Sequence, residues 1–141
     1  MDQSEAARKW LVQTALSYLG TPYIWGGDDP SGFDCSGFVL ECLKSAGLMD
    51  EHSEHTADSL LLTLNATVVD EPSEGALLFT LDGTGKATHV VICLDPWFQI
   101  GASGGKCTTV DARSAWRDNA YVKIRPIRCR SERHRILLPK Y

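Results

Sequence analysis

Cys35 closes a run rich in glycine and aromatic residues, Thr21 to Phe33 (TPYIWGGDDPSGF), and opens a helical pattern. A thiol at a loop-to-helix junction meets free backbone N–H groups and the positive end of the helix dipole. Both favour thiolate, so a lowered pKa and a nucleophilic role are expected. The same N–H groups are placed to hold a developing oxyanion. A thiolate nucleophile needs a base, and the chain has 4 histidines. His89 opens the apolar run His89-Val90-Val91-Ile92-Cys93-Leu94, which sets an imidazole at the mouth of a buried strand and makes it the candidate base. His52 and His55 form an H-x-x-H pair in a polar stretch with no third ligand in view and read as solvated loop residues, and His134 in a basic tail reads as exposed. Singly, Cys35 is as well explained as buried filler and His89 as a satisfied core histidine; the pair together is what suggests chemistry.

The elements that must position this pair follow from periodicity. Asp2 with Glu5 three residues on reads as a capping box, and Ala7, Leu11, Val12, Ala15, Leu16 and Leu19 repeat at helical spacing until Gly20 and Pro22. The Thr21–Phe33 run reads as an irregular cleft wall. A second helix is expected from Cys35 to Ala46, with Phe38, Val39, Cys42, Leu43 and Ala46 as its stripe and Gly47 at C′. Thr56 caps a short third helix to Leu64. After the turn at Glu71–Gly75 the period changes: Ala76–Leu81, His89–Leu94, Phe98–Ala102, Cys107–Val110 and Tyr121–Ile127 read as strands. Helices first and strands afterwards predict an α+β fold, with helices on one side of an antiparallel sheet of five to six strands.

The chain has 141 residues, 43% hydrophobic and 23% charged, which fits one globular domain over 1–141 and excludes collagen-like, coiled-coil and wholly disordered classes. No apolar run approaches the ~18 residues of a membrane helix, so no membrane insertion is expected. An odd count of 5 cysteines without a C-x-x-C pair argues against a disulfide framework and against a zinc site, so neither metal nor cofactor is expected. Cys42, Cys93, Cys107 and Cys129 read as packing residues. The net charge of −4 hides an asymmetry: residues 1–112 carry 5 Lys/Arg against 16 Asp/Glu, and residues 113–141 carry 9 against 2. The basic tail reads first as a solvated strand end or a surface facing the acidic half, and second as a surface for an anionic polymer. It has no groove-reading motif, so nucleic acid is not an expected partner. The acidic, polar start Met1–Glu5 is unlike a signal peptide; synthesis in the cytoplasm is expected, with phage association or export by a route without such a signal. No residue pattern speaks to oligomeric state.

Four segments occur in an order that resembles the NlpC-type papain-like cysteine peptidases, which cut peptidoglycan stem peptides. They are Gly20–Gly27 (GTPYIWGG), Phe33–Val39 (FDCSGFV), Pro72–Phe79 (PSEGALLF) and His89–Ile92 (HVVI), followed by Ile100–Ser103 (IGAS). The resemblance covers about Ala7 to Val110 and implies a papain-like fold, Cys35 as nucleophile and His89 as general base. It further implies that the Tyr23 hydroxyl helps hold the oxyanion, and that Asp34, Ser36 and Trp25 line the substrate side of the cleft. The partner it implies is a peptidoglycan stem peptide, cut at the γ-D-glutamyl–diamino acid bond.

The sequence departs from this family at the third catalytic position, a polar residue, most often His, on the strand after the base. With a turn centred near Asp95–Pro96, residue 101 falls opposite His89, and it is Gly101. Such a group fixes the tautomer and orientation of the base. Gln99 on the same face and Asp111 on the following strand are the candidate substitutes, with a Cys–His dyad as the alternative. Two other readings stand beside the peptidase: a non-catalytic binding or structural protein that keeps the fold, and an amidase or acyltransferase with the same Cys–His chemistry.

Overall fold

The computed structural model describes residues 1–128 and 133–141. Helix α1 (Gln3–Ser17) starts where the Asp2 carboxylate accepts the Glu5 N–H at 2.9 Å, and it buries Leu11, Val12 and Ala15. Leu16 and Leu19, expected on its apolar stripe, are exposed. The loop that follows is more regular than expected: β1 (Asp28–Asp29) and β2 (Gly32–Phe33) form a small hairpin around Pro30 and Ser31. Helix α2 (Cys35–Ser45) buries Phe38, Val39, Leu40, Cys42 and Leu43, and Gly47 takes the left-handed conformation (φ 77°) that a C′ residue needs. Helix α3 (Ala57–Thr63) starts with the reciprocal capping box of Thr56 and Ser59.

One sheet of six strands carries the rest. β3 (Ala66–Val69), β4 (Leu77–Leu81), β5 (Ala87–Cys93), β6 (Phe98–Ser103), β7 (Tyr121–Pro126) and β8 (His134–Pro139) lie in the order β3-β8-β4-β5-β6-β7, every neighbouring pair antiparallel. The expected α+β architecture of helices on an antiparallel sheet is the observed one.

Three segments correct the sequence reading. Cys107–Val110 is not a strand, because its polar groups are used locally. The Thr109 hydroxyl donates to Asp118 at 2.7 Å and accepts the Lys106 N–H at 3.0 Å, and helix α4 (Ala112–Asp118) follows at once. Such side-chain bonds compete with ladder pairing. Cys107 is therefore exposed rather than packed. The basic tail is not a solvated end either, since Ile136 and Leu137 are buried in β8, which inserts between β3 and β4. Cys129, read as a packing residue, lies outside the described residues.

Alternation along the strands gives the sheet two apolar faces. Leu77, Phe79, Val90, Ile92, Ile100 and Ala102 share one core with α1, α2 and α3. Leu78, Val91, Cys93 and Ile136 form a second cluster on the far face. A T-shaped trio of Tyr18, Phe33 and Phe38, with ring centroids 5.1 to 6.5 Å apart, ties α1 and the glycine-rich loop to the first turns of α2.

Candidate active site

Cys35 is the first residue of α2. Asp34 precedes it as N-cap: its carboxylate accepts the Gly37 N–H at 2.7 Å and the Ser36 hydroxyl at 3.3 Å. Gly37 has a packing reason, because a Cβ there would lie 2.1 Å from the Gly27 carbonyl oxygen. The Asp34 N–H donates to that same carbonyl at 2.9 Å, so the loop is stitched to the helix start. The thiol is half-buried, and the Val90 N–H of β5 lies against its sulfur together with the N–H groups of Cys35 and Ser36.

The expected thiolate is not what this environment favours. Burial, and then the Asp34 carboxylate, push the Cys35 thiol above its ordinary value, and the three N–H groups only partly oppose them. Burial also raises Asp34 itself, against the hydrogen bonds it accepts. Tyr23 lies beside this pair, with its ring packed on Gly105. Burial first, then Cys35 and Asp34, push its hydroxyl up to about 12. A phenol held protonated in this way is a hydrogen-bond donor at all ordinary pH.

Trp25 is 56% exposed and its N–H donates to the Thr109 carbonyl at 2.7 Å, which places an open indole on the rim. Asp34 and Ser36, together with Gly26, Asp28, Lys44 and His55, line a cleft of about 420 Å³ beside the nucleophile position. His55 is thus a wall residue rather than a solvated one. Its Nδ1 lies 3.0 Å from the Ser59 hydroxyl, the same hydroxyl that caps α3. The capping pattern Thr56-x-x-Ser59 was the sequence signal that could have tied His55 to a helix start.

His89 is half-buried on β5, and burial lowers its pKa. Its ladder partner is Thr80, and the pairs on either side show which way it points. Phe79–Val90 faces the helices, while Leu78–Val91 faces away. His89 therefore lies on the far face, where it lines a cavity with Thr80, Val91, Gln99, Arg125 and His134. His134, expected to be exposed, is half-buried there. No hydrogen bond joins His89 to Cys35 among the described residues. The link between the two is the backbone of Val90, next to His89 in sequence and against Cys35 in space.

The third-residue candidates fare differently from expectation. β5 and β6 pair at Ile92–Ile100 and Cys93–Gln99, so Gly101 falls on Val91 rather than His89. A Cβ at Gly101 would meet Val91 Cγ1 at 2.5 Å, which leaves no room for a side chain. Gln99 shares the cavity with His89 but sits across from Cys93, four residues along the strand, about 13 Å at ~3.3 Å per residue. Asp111 is the N-cap of α4, not a strand residue. Its carboxylate accepts the Ser114 N–H at 2.9 Å.

Among the described residues, no group of three or more His, Cys, Asp or Glu side chains could hold a metal ion. No helix among them is long and apolar enough to cross a membrane.

Comparison with known proteins agrees with this architecture. The model of the NlpC/P60 family matches residues 20–126. The chain is 34% identical over 117 residues to the bifunctional muramidase/DL-endopeptidase CwlT of Bacillus subtilis (strain 168), covering 77% of this chain and 33% of that protein. It is 32% identical over 92 residues to the gamma-D-glutamyl-L-lysine dipeptidyl-peptidase of the same organism, covering 64% and 30%. The crystal structure of the NlpC/p60 domain of the peptidoglycan hydrolase SagA superposes with a TM-score of 0.66 at 27% identity, covering 92% of this chain and 97% of that one. The chain spans 35% or less of the length of the curated relatives it matches.

Proposed function

This chain belongs to the NlpC/P60 family, and on that premise we propose that it is a cysteine endopeptidase that hydrolyses peptidoglycan stem peptides at the γ-D-glutamyl–diamino acid bond. The observation that carries this reading is the thiol of Cys35 at the first position of a capped helix, beside the Tyr23 hydroxyl and a cleft lined by Asp34 and Ser36. In the reaction the Cys35 sulfur adds to the scissile carbonyl carbon as its proton passes to the His89 imidazole. The Tyr23 hydroxyl and the Cys35 N–H take the carbonyl oxygen as it becomes an oxyanion. Collapse of the tetrahedral adduct breaks the C–N bond, and the imidazolium gives its proton to the departing amine. Water then attacks the thioester, His89 takes its proton, and the carboxylic acid and free thiol are released. Trp25 on the rim supplies apolar surface for the substrate.

Both groups start neutral in this scheme, which suits a thiol pushed up and an imidazole pushed down. The proton then moves with the attack rather than before it. The names of two relatives, a DL-endopeptidase and a gamma-D-glutamyl-L-lysine dipeptidyl-peptidase, support the choice of bond. The test is digestion of defined muropeptides read by mass. Wild type should release fragments split between D-glutamate and the diamino acid, and Cys35→Ala should release none. Intact muropeptides after incubation with wild type would sink the proposal.

A second reading, a binding protein that keeps the fold without turnover, is favoured by Gly101 and by the separation of His89 from Cys35. It predicts that Cys35→Ala binds muropeptides as wild type does and that neither cuts them.

A further inference from the structure

On the β6 side of His89 no polar side chain is placed to orient the imidazole. Gly101 has none and packs on Val91, Gln99 lies across from Cys93, and the Asp111 carboxylate caps a helix. The β4 side differs. Thr80 stands directly across from His89 in the ladder, and the two line the same cavity of about 320 Å³. Residues facing one another in an antiparallel pair hold their Cβ atoms about 4.5–5.5 Å apart, within which a hydroxyl and an imidazole nitrogen can meet. Thr80 ends the apolar run Leu77-Leu78-Phe79, and its hydroxyl makes no hydrogen bond among the described residues, so it is available. The register shift between Thr80 and Leu81 leaves Thr88 as an extra residue on β5. Bulges of this kind re-aim the adjoining side chain, here His89.

We propose that Thr80 is the positioning residue of His89, its hydroxyl hydrogen-bonding the imidazole from β4 in place of the group that position 101 cannot supply. The inference rests on the reading of His89 as base. A hydroxyl accepting from one ring nitrogen leaves the lone pair of the other for the thiol proton, which is the tautomer that attack requires. His134 flanks Thr80 from β8, which makes a row His134–Thr80–His89 across three strands. The other titratable groups lining the cavity are Arg125 and Arg128.

The test compares Thr80→Val with Thr80→Ser in muropeptide hydrolysis across pH. Thr80→Val should lower kcat about tenfold, the worth of one hydrogen bond, with KM unchanged and the acid limb of the pH profile displaced. Thr80→Ser should restore the wild-type profile. In Cys35→Ala, imidazole nitrogen NMR should show one dominant His89 tautomer, and a mixture once Thr80→Val is added. Wild-type kcat and profile in Thr80→Val, or equal losses in Val and Ser, would overturn the role. Full activity in His89→Ala would overturn the base assignment and this inference with it. Loss of activity in His89→Ala beside an unaffected Thr80→Val would overturn this inference alone.

Discussion

The start of α2 and the start of β5 hold the two candidate reacting groups by opposite means. At the helix everything is local. Asp34 caps the turn that Cys35 begins, Gly37 lets the Gly27 carbonyl approach, and Phe38 anchors the first turn in the Tyr18–Phe33 cluster. At the strand everything is long-range. His89 owes its face to a ladder with β4, its direction to a bulge and its surroundings to β6, β7 and β8. A locally built site withstands changes elsewhere in the fold, whereas one built on register is exposed to single-residue slips.

The largest effect that breaks this contrast is Cys35→Ala, for which no cleavage of muropeptides should be detectable while the melting temperature stays close to wild type. Phe38→Ala should cost about 3–5 kcal/mol in denaturant unfolding, because a fully buried ring under the nucleophile is lost. If it instead spares stability, the α2 start is not the rigid half of the pair. Gly101→His should give no gain in kcat and should destabilise the sheet, since Val91 fills the space. The double change Val91→Gly with Gly101→His opens that space and should raise kcat above that of Gly101→His alone. Asp34→Ala should cost about 1 kcal/mol through loss of the N-cap.

The smallest effect is in pH. Burial holds His89 below 6.5, so the unfolded chain takes up a proton that the folded chain refuses, and stability should fall as pH drops below about 6.5. His89→Gln should flatten that decline in thermal melts. A slope unchanged by the substitution would mean that other groups carry it.

The same contrast explains what the sequence disclosed. The caps at Asp2, Asp34 and Thr56, the helix spans and the Cys35 position are written in neighbouring residues, and the structure has them nearly as expected. Helix α4 carries an equally local signal, Asp111-x-x-Ser114, but the β-branched pair Thr109–Val110 before it suggested a strand. The far-face placement of His89 and the Gly101–Val91 contact were not legible. They depend on a turn centre displaced by one residue and on an extra residue in β5, and neither alters composition or periodicity enough to be read. The burial of the tail as β8 was hidden by its basic residues, although Ile136-Leu137-Leu138 is an apolar run in its own right.

Thr88 carries a consequence of a different kind. Ala87 and His89 are two positions apart, which in a regular strand would put them on one side, yet Ala87 packs with the helices and His89 faces away. Position 88 therefore acts as a phase marker in the gene. An in-frame loss of that single codon leaves every other residue in place but removes the half-period between them, so that either the methyl group leaves the core or the imidazole changes sides. Insertions and deletions at this exposed position are constrained as tightly as substitutions in the core, although Thr88 itself can be exchanged for other residues.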